Sequence, residues 1–294
     1  MTYIYTTTPH THNSHRQYQG SILNKDGYQL HLAIMLQSLP KALLFDVFGT
    51  CVNWRKTVTT TLHNSYQEAK SKSKHTASDI REVSEDDWAI CAQQWRNSYK
   101  HFTRTVSQQD STPWKTIDEH HYDSLDDLIT QWHLDGLWDE AQIKELSLVW
   151  HKLDPWPDTS AGITALNQLT QTCTLSNGNI SLLKDLCRHA NMDMCHVFSA
   201  EMFKHYKPHP ATYLGAVREL GLEVGEVAMV AAHLPDLEAA RRNGLKTIYV
   251  ERPEEEDWDR EKVEKAREWV DIWVREDEGG FLKVAEELGK LNKA

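Results

Sequence analysis

The chain has 294 residues, 40 % of them apolar, which suffices for a packed core in one large domain or two modest ones. Its formal charge of -11 and pI near 5.8 argue against a phosphate-backbone binder, since nucleic-acid affinity rests on clustered Lys and Arg and no basic stripe occurs. No run approaches the ~20 apolar residues of a membrane span, and the five cysteines (Cys51, Cys91, Cys173, Cys187, Cys195) form no CxxC pair, reading as free thiols of a cytoplasmic protein.

Residues 1–38, opening on MTYIYTTTPHTHNSHRQYQG, are polar, Thr- and His-rich and aperiodic, so a disordered extension is expected. His10, His12 and His15 are metal-ligand types, but a solvated tail is the simpler reading. From Lys41 onward the apolar runs KALLFD, TCTLSN, HVFSA, VAMVAA, KTIYVE and DIWV alternate with stretches of helical spacing. Near-continuous apolar strands separated by helices are what a parallel sheet buried on both faces requires, so the fold class is α/β, doubly wound. One interval breaks the rhythm. Between FDVFGT and TLSNGN no strand is convincing, and amphipathic runs such as SEDDWAICAQQWRNSYKHF and SLDDLITQWHLDGLW fit about four helices. Residues 57–154 are therefore expected to form a helical cap, with 39–56 and 155–294 as the core. A sheet of this kind holds its site at the carboxyl ends of the strands, where such a cap would close.

Polar residues gather at those ends. Asp46 and Thr50 follow the first strand, Ser176, Asn177 and Gly178 the second, and His233 and Asp236 the fourth, while Lys207 lies in HYKPHPATY before the helix that leads to the fourth. Each alone is ordinary loop or helix-cap chemistry; together, in this order, they are selective. An Asp carboxylate can act as a covalent nucleophile. A Lys ammonium beside it keeps it ionised and can neutralise a substrate carboxylate. Hydroxyls with turn N–H groups suit a carboxylate or an oxyanion.

From Lys41 to the C-terminus the chain resembles the haloacid dehalogenase superfamily hydrolases, and within them the L-2-haloacid dehalogenase (type II) branch. The resemblance rests on four ordered motifs, FDVFGT, LSNGN, YKPHPATY and AAHLPD. It implies a Rossmann-like core, and Asp46 as the nucleophile that displaces halide from a 2-haloalkanoic acid through an ester, giving a 2-hydroxy acid. It implies no cofactor and no metal, a short halogenated carboxylic acid as the partner molecule, and leaves a homodimer open. By the same resemblance Arg96, in AQQWRNSY, receives the halide with help from Asn177, and Tyr213 lines the pocket. Asp236 orients Lys207 and helps activate water; Thr50 and Ser176 bind the substrate carboxylate. The superfamily's phosphatases carry a second acid two positions after the nucleophile, where this chain has Phe48, and a departing halide needs no proton. Ala231, His233 and Pro235 stand where the established dehalogenases have Ser, Asn and an aromatic. His233, whose imidazole titrates near neutral pH, is expected to serve as a base in place of that Asn. Two other readings are a Mg²⁺-dependent phosphatase-like hydrolase using Asp46, Lys207 and Asp236, and a non-catalytic or other-substrate protein that keeps the fold.

Overall fold

The computed structural model describes residues 36, 38–72, 82–108 and 114–292, with the backbone of a two-residue antiparallel ribbon pairing Ile22–Leu23 with Gln29–Leu30. The expected disordered extension, His10, His12 and His15 included, falls almost wholly outside these residues.

Six strands form one parallel sheet: β1 (Ala42–Phe45), β2 (Gln171–Ser176), β3 (His196–Ser199), β4 (Val227–Ala231), β5 (Lys246–Val250) and β6 (Ile272–Val274), in the order β3-β2-β1-β4-β5-β6. The six apolar runs singled out in the sequence are these strands. Successive side chains alternate between faces. Leu43 and Phe45 of β1 join a core with helices α5 (Thr159–Leu166), α6 (Ile180–His189) and α11 (Phe281–Leu291), while Ala42 and Leu44 join the opposite core with α8 (Pro210–Leu220) and α9 (Leu234–Arg242). Both faces are thus covered, which is why β1 and β4 are buried at every position. The strand order reverses between β1 and β4, and the crevice at such a switch point is where doubly wound sheets bind ligands.

The interval after β1 holds four α-helices among the described residues: α1 (Trp54–Lys72), α2 (Glu85–Ser107), α3 (Ile117–Gln131) and α4 (Glu140–Ser147), each packed on the next. Capping boxes at Ser84/Asp87, Thr116/Glu119 and Asp139/Gln142 fix where α2, α3 and α4 begin, satisfying backbone N–H groups the first turn leaves unpaired. The tryptophans that enrich this interval are its core. Trp54 stacks on Trp150 at 6.0 Å, Trp95 meets Trp150 edge-on at 5.3 Å, and Trp88 stacks on Trp132 at 6.4 Å.

The chain enters and leaves this layer at adjacent points. Val52 bridges Pro155, the Asn53 N–H donates to the Asp154 carbonyl at 2.8 Å, and Trp156 Nε1 donates to the Gly49 carbonyl at 2.9 Å. A second tie lies at His151, whose Nδ1 is 2.8 Å from Asp185 Oδ2 of α6 and whose Nε2 is 3.0 Å from Asp118 Oδ1 of α3. Asn179, last residue of LSNGN, donates to Asp118 Oδ2 at 2.7 Å and accepts from the Asp118 N–H at 3.2 Å. Among the described residues no helix is long and apolar enough to cross a membrane, and all five cysteines are unpaired.

Candidate active site

Asp46 leaves the tip of β1 with its N–H bound to the Val230 carbonyl of β4, so its side chain enters the switch-point crevice. Oδ1 accepts from Lys207 Nζ at 3.0 Å; Oδ2 accepts from Thr50 Oγ1 at 2.8 Å and lies 3.0 Å from His233 Nδ1. The Thr50 oxygen itself accepts the Ala232 N–H at 2.9 Å, which turns its hydrogen toward Asp46. Lys207 also donates to Asp236 Oδ2 at 2.6 Å, and Tyr213 donates to Asp236 Oδ1 at 2.6 Å. The lysine is aimed from its backbone: its N–H donates to Asn177 Oδ1 at 2.7 Å, joining the ends of β2 and the loop before α8.

His233 has a second carboxylate on its far side. Its Nε2 lies 3.1 Å from Glu255 Oε2, while Glu255 Oε1 accepts from Trp54 Nε1 at 2.7 Å. This acid crowds Gly49, where φ is +84° and an added Cβ would come within 2.1 Å of Glu255 Oε2. Glycine is required there both for the left-handed backbone and for the approach. Glu255 belongs to an acidic run after β5 in which each carboxylate has its own partner. Glu254 pairs with Arg55 of α1, Asp257 with Lys100 of α2, and Glu256 Oε2 accepts the Leu234 N–H at the start of α9.

Arg96 of α2 is 4 % exposed and reaches over the nucleophile loop, where its Nη2 donates to the Phe48 carbonyl at 3.3 Å. Its guanidinium carbon lies 4.7 Å from the ring centre of Tyr99, 5.5 Å from Phe48 and 5.6 Å from Trp54, and its buried Nε has no hydrogen-bond partner. Tyr99, one turn beyond Arg96, is buried beside the guanidinium, with its ring also 5.9 Å from that of Phe48. A weakly hydrated planar cation inside aromatic walls with an unused donor is suited to an anion in a dry pocket. Ser176 is fully buried at the end of β2 and accepts the Gly178 N–H at 3.3 Å.

Electrostatics divide the acids. Burial would raise Asp46, but Lys207 and then His233 and Thr50 overcome it and hold the carboxyl far below its usual range, so it is ionised. Burial disfavours the Lys207 ammonium, yet Asp236 and Asp46 hold its pKa above the ordinary lysine value. Asp236 is pushed up by burial, and although Lys207 draws it down, the negative charge of Asp46 adds to the rise. His233 is opposed by burial, but hydrogen bonds with Asp46 and Glu255 raise it to about 9.

Of the residues expected from sequence, Asp46, Thr50, Lys207, His233, Asp236 and Tyr213 form one connected network, and Asn177 joins it through the Lys207 backbone. Arg96 meets it at the Phe48 carbonyl, and Ser176 lies at the adjoining strand end, bonded within its own turn. Glu255 and Tyr99 were not foreseen. The strand-end rule that located Asp46, applied also to β5, points to the loop holding Glu255; Tyr99 follows from the spacing of one helical turn after Arg96.

A doubly wound sheet with this charged network at its switch point defines a hydrolase core roofed by helices. The chain belongs to the haloacid dehalogenase-like hydrolase family, which it matches over residues 40–244. An L-2-haloacid dehalogenase of known structure is 34 % identical with a TM-score of 0.71, the match covering 85 % of this chain and 99 % of that one. A defluorinating L-2-haloacid dehalogenase is 30 % identical with a TM-score of 0.72, covering 85 % and 95 %. The (S)-2-haloacid dehalogenase 4A of Burkholderia cepacia is 28 % identical over 164 residues, 54 % of this chain and 68 % of that protein.

Proposed function

We propose that the protein is a 2-haloacid dehalogenase. Asp46 attacks C2 of a short 2-haloalkanoate, the carbon–halogen bond breaks toward Arg96, and the Asp46 ester is hydrolysed to a 2-hydroxy acid. The observation that carries this reading is an ionised Asp46 held by Lys207, with Phe48 rather than an acid two residues on and Arg96 above it. Lys207 and the Ser176 hydroxyl receive the substrate carboxylate, whereas Thr50, expected to share that role, has its one hydrogen committed to Asp46 Oδ2; Tyr213 positions Asp236, and Asp236 takes the proton of the hydrolytic water. Residues 57–154 act as the cap, and a cytoplasmic enzyme is the matching setting for its unpaired thiols.

The magnesium-dependent phosphatase reading has less support. Position 48 offers a ring instead of a side-chain oxygen, its carbonyl already accepts from Arg96, whose guanidinium lies 5.5 Å from the ring centre, and the ammonium on Asp46 Oδ1 already supplies positive charge there. Halide release from 2-chloro- and 2-bromopropionate, with phosphate release from generic esters in parallel, decides between them. Halide release is expected to persist in EDTA, and a single turnover in ¹⁸O-water is expected to place label in Asp46 before product. Loss of halide release on chelation, or robust phosphate release with Mg²⁺, would refute the proposal.

A further inference from the structure

Both ring nitrogens of His233 face carboxylate oxygens, Asp46 Oδ2 at 3.0 Å and Glu255 Oε2 at 3.1 Å. An ionised carboxylate only accepts hydrogen bonds, so each nitrogen satisfies its neighbour only by carrying a hydrogen. A base needs a lone pair where the water lies, and neither nitrogen has one free in this arrangement. We infer that His233 works as a held imidazolium that stabilises the oxyanion formed on Asp46 Oδ2 during ester hydrolysis, with Glu255 as the residue that positions it and keeps it protonated. This replaces the general-base role expected from sequence, and it rests on the dehalogenase reading for the reaction it serves.

The two oxygens of Asp46 are differently engaged. Oδ2 receives Thr50 and His233, whereas Oδ1 receives Lys207 alone, so Oδ1 is the oxygen left to form the bond to C2 while the halide departs with the bonding pair. In the ester, Oδ2 is the carbonyl oxygen. Water then bonds to Cγ, one proton passes to Asp236, and the carbonyl π pair moves onto Oδ2, where the Thr50 hydroxyl and the His233 Nδ1–H meet it. Collapse breaks the Cγ–Oδ1 bond, the alkoxide takes the proton from Asp236, and the second water proton leaves as Asp46 ionises again.

Glu255 acquires its importance at the ester. Alkylation removes the charge of Asp46, one of the two groups that sustain the imidazolium in a buried setting. Glu255, fixed by Trp54 Nε1 and pressed against Gly49, then holds the proton alone. The other charges around His233 are Asp257 and Glu256 of the same loop, Asp236 on its own helix, and Lys207 and Arg96 across Asp46. Asp257 and Glu256 are already bound to Lys100 and to the Leu234 N–H.

The pH profile of halide release and of 2-hydroxy acid formation from 2-chloropropionate separates cation from base. A required cation gives wild-type turnover that falls along an alkaline limb, at or below the value of about 9 to which His233 is raised while Asp46 is ionised; a base gives turnover that rises through the histidine range. Glu255→Gln is expected to move the alkaline limb down by roughly one pH unit or more and to let the Asp46 ester build up, seen as added mass on acid-quenched protein. His233→Asn is expected to lose the limb and to slow hydrolysis on the order of 100-fold. Ring ¹⁵N shifts at pH 7, assigned with His233→Asn, are expected to show both His233 nitrogens protonated whether or not the variants turn over. A profile that rises through the histidine range, an unmoved limb in Glu255→Gln, or a neutral ring at pH 7 overturns the inference while halide release still stands. A wild-type protein that releases no halide overturns the dehalogenase reading and this inference together.

Discussion

Two histidines in this molecule are each clasped by two carboxylates, and they do different things. His233 lies between Asp46 and Glu255, His151 between Asp118 and Asp185, at comparable distances. Both imidazoles are opposed by burial and raised by hydrogen bonds to their acids. The acids differ. Those around His151 are 28 % and 43 % exposed, so water can solvate them when the ring loses its proton; those around His233 are 11 % and 3 % exposed and have no such recourse. A histidine between acids is therefore a tie where the acids face solvent, and in our reading becomes part of the chemistry where one acid is buried beside a lysine. The contact pattern is shared, and the desolvation of the partners distinguishes the two.

The comparison breaks most completely at its acids. Asp46→Asn is expected to abolish halide release, by roughly 10⁴-fold or more, as loss of a covalent nucleophile does; more than a hundredth of wild-type turnover would mean that another group attacks. Arg96→Lys keeps the charge but loses the planar fork, so a fall of roughly 10- to 100-fold in kcat with unchanged circular dichroism is expected. Unchanged turnover would remove Arg96 from halide binding. Gly49→Ala sharpens the His233 side. A methyl group directed at Glu255 on a φ of +84° is expected to lower stability by about 1–3 kcal/mol in urea unfolding and to depress turnover as well. An unaltered midpoint would show that the loop yields freely.

The smallest effect is expected at His151. His151→Gln should cost about 1 kcal/mol or less, since one partner is well solvated, and should leave kcat within about twofold. Because the folded-state pKa of His151 lies above its ordinary value, its contribution is complete below about pH 6 and is lost as pH rises through the raised value. Denaturation of wild type and variant at several pH values reads this directly, and a stability gap that widened toward alkaline pH would contradict it.

Much of this was legible in the chain because the physics is local. The runs around Leu43 and Val230 are apolar on both faces, which only a covered parallel sheet tolerates, and the polar residues at the carboxyl ends of these strands and of the one holding Leu175 converge because the strands do. Asp46 and Asp236, far apart in sequence, were found by that rule, and Lys207 by the motif before the helix that leads to the fourth strand. What stayed hidden depends on side chains meeting across the fold. Glu255 reaches Trp54 over a separation of 201 residues, and nothing in EEED tells an inward carboxylate from a solvated one. His233 was recognised, but its charge state depends on that unseen acid, so a base was expected where we infer a cation. Tyr99 was passed over because an aromatic at helical spacing usually packs into a core.

Glu254, Glu255 and Glu256 are identical neighbours with three unrelated partners, namely Arg55, His233 and the start of α9. The left-handed φ of +59° at Glu254 turns them apart. In an alignment these three columns are interchangeable: moving a gap by one residue leaves the score nearly unchanged and transfers the label of the functional acid to a bystander. Across relatives, the counterpart of Glu255 is identified by the backbone turn before it and the tryptophan it faces, and a loop that gains or loses one glutamate has changed which carboxylate reaches the crevice even though its composition looks preserved.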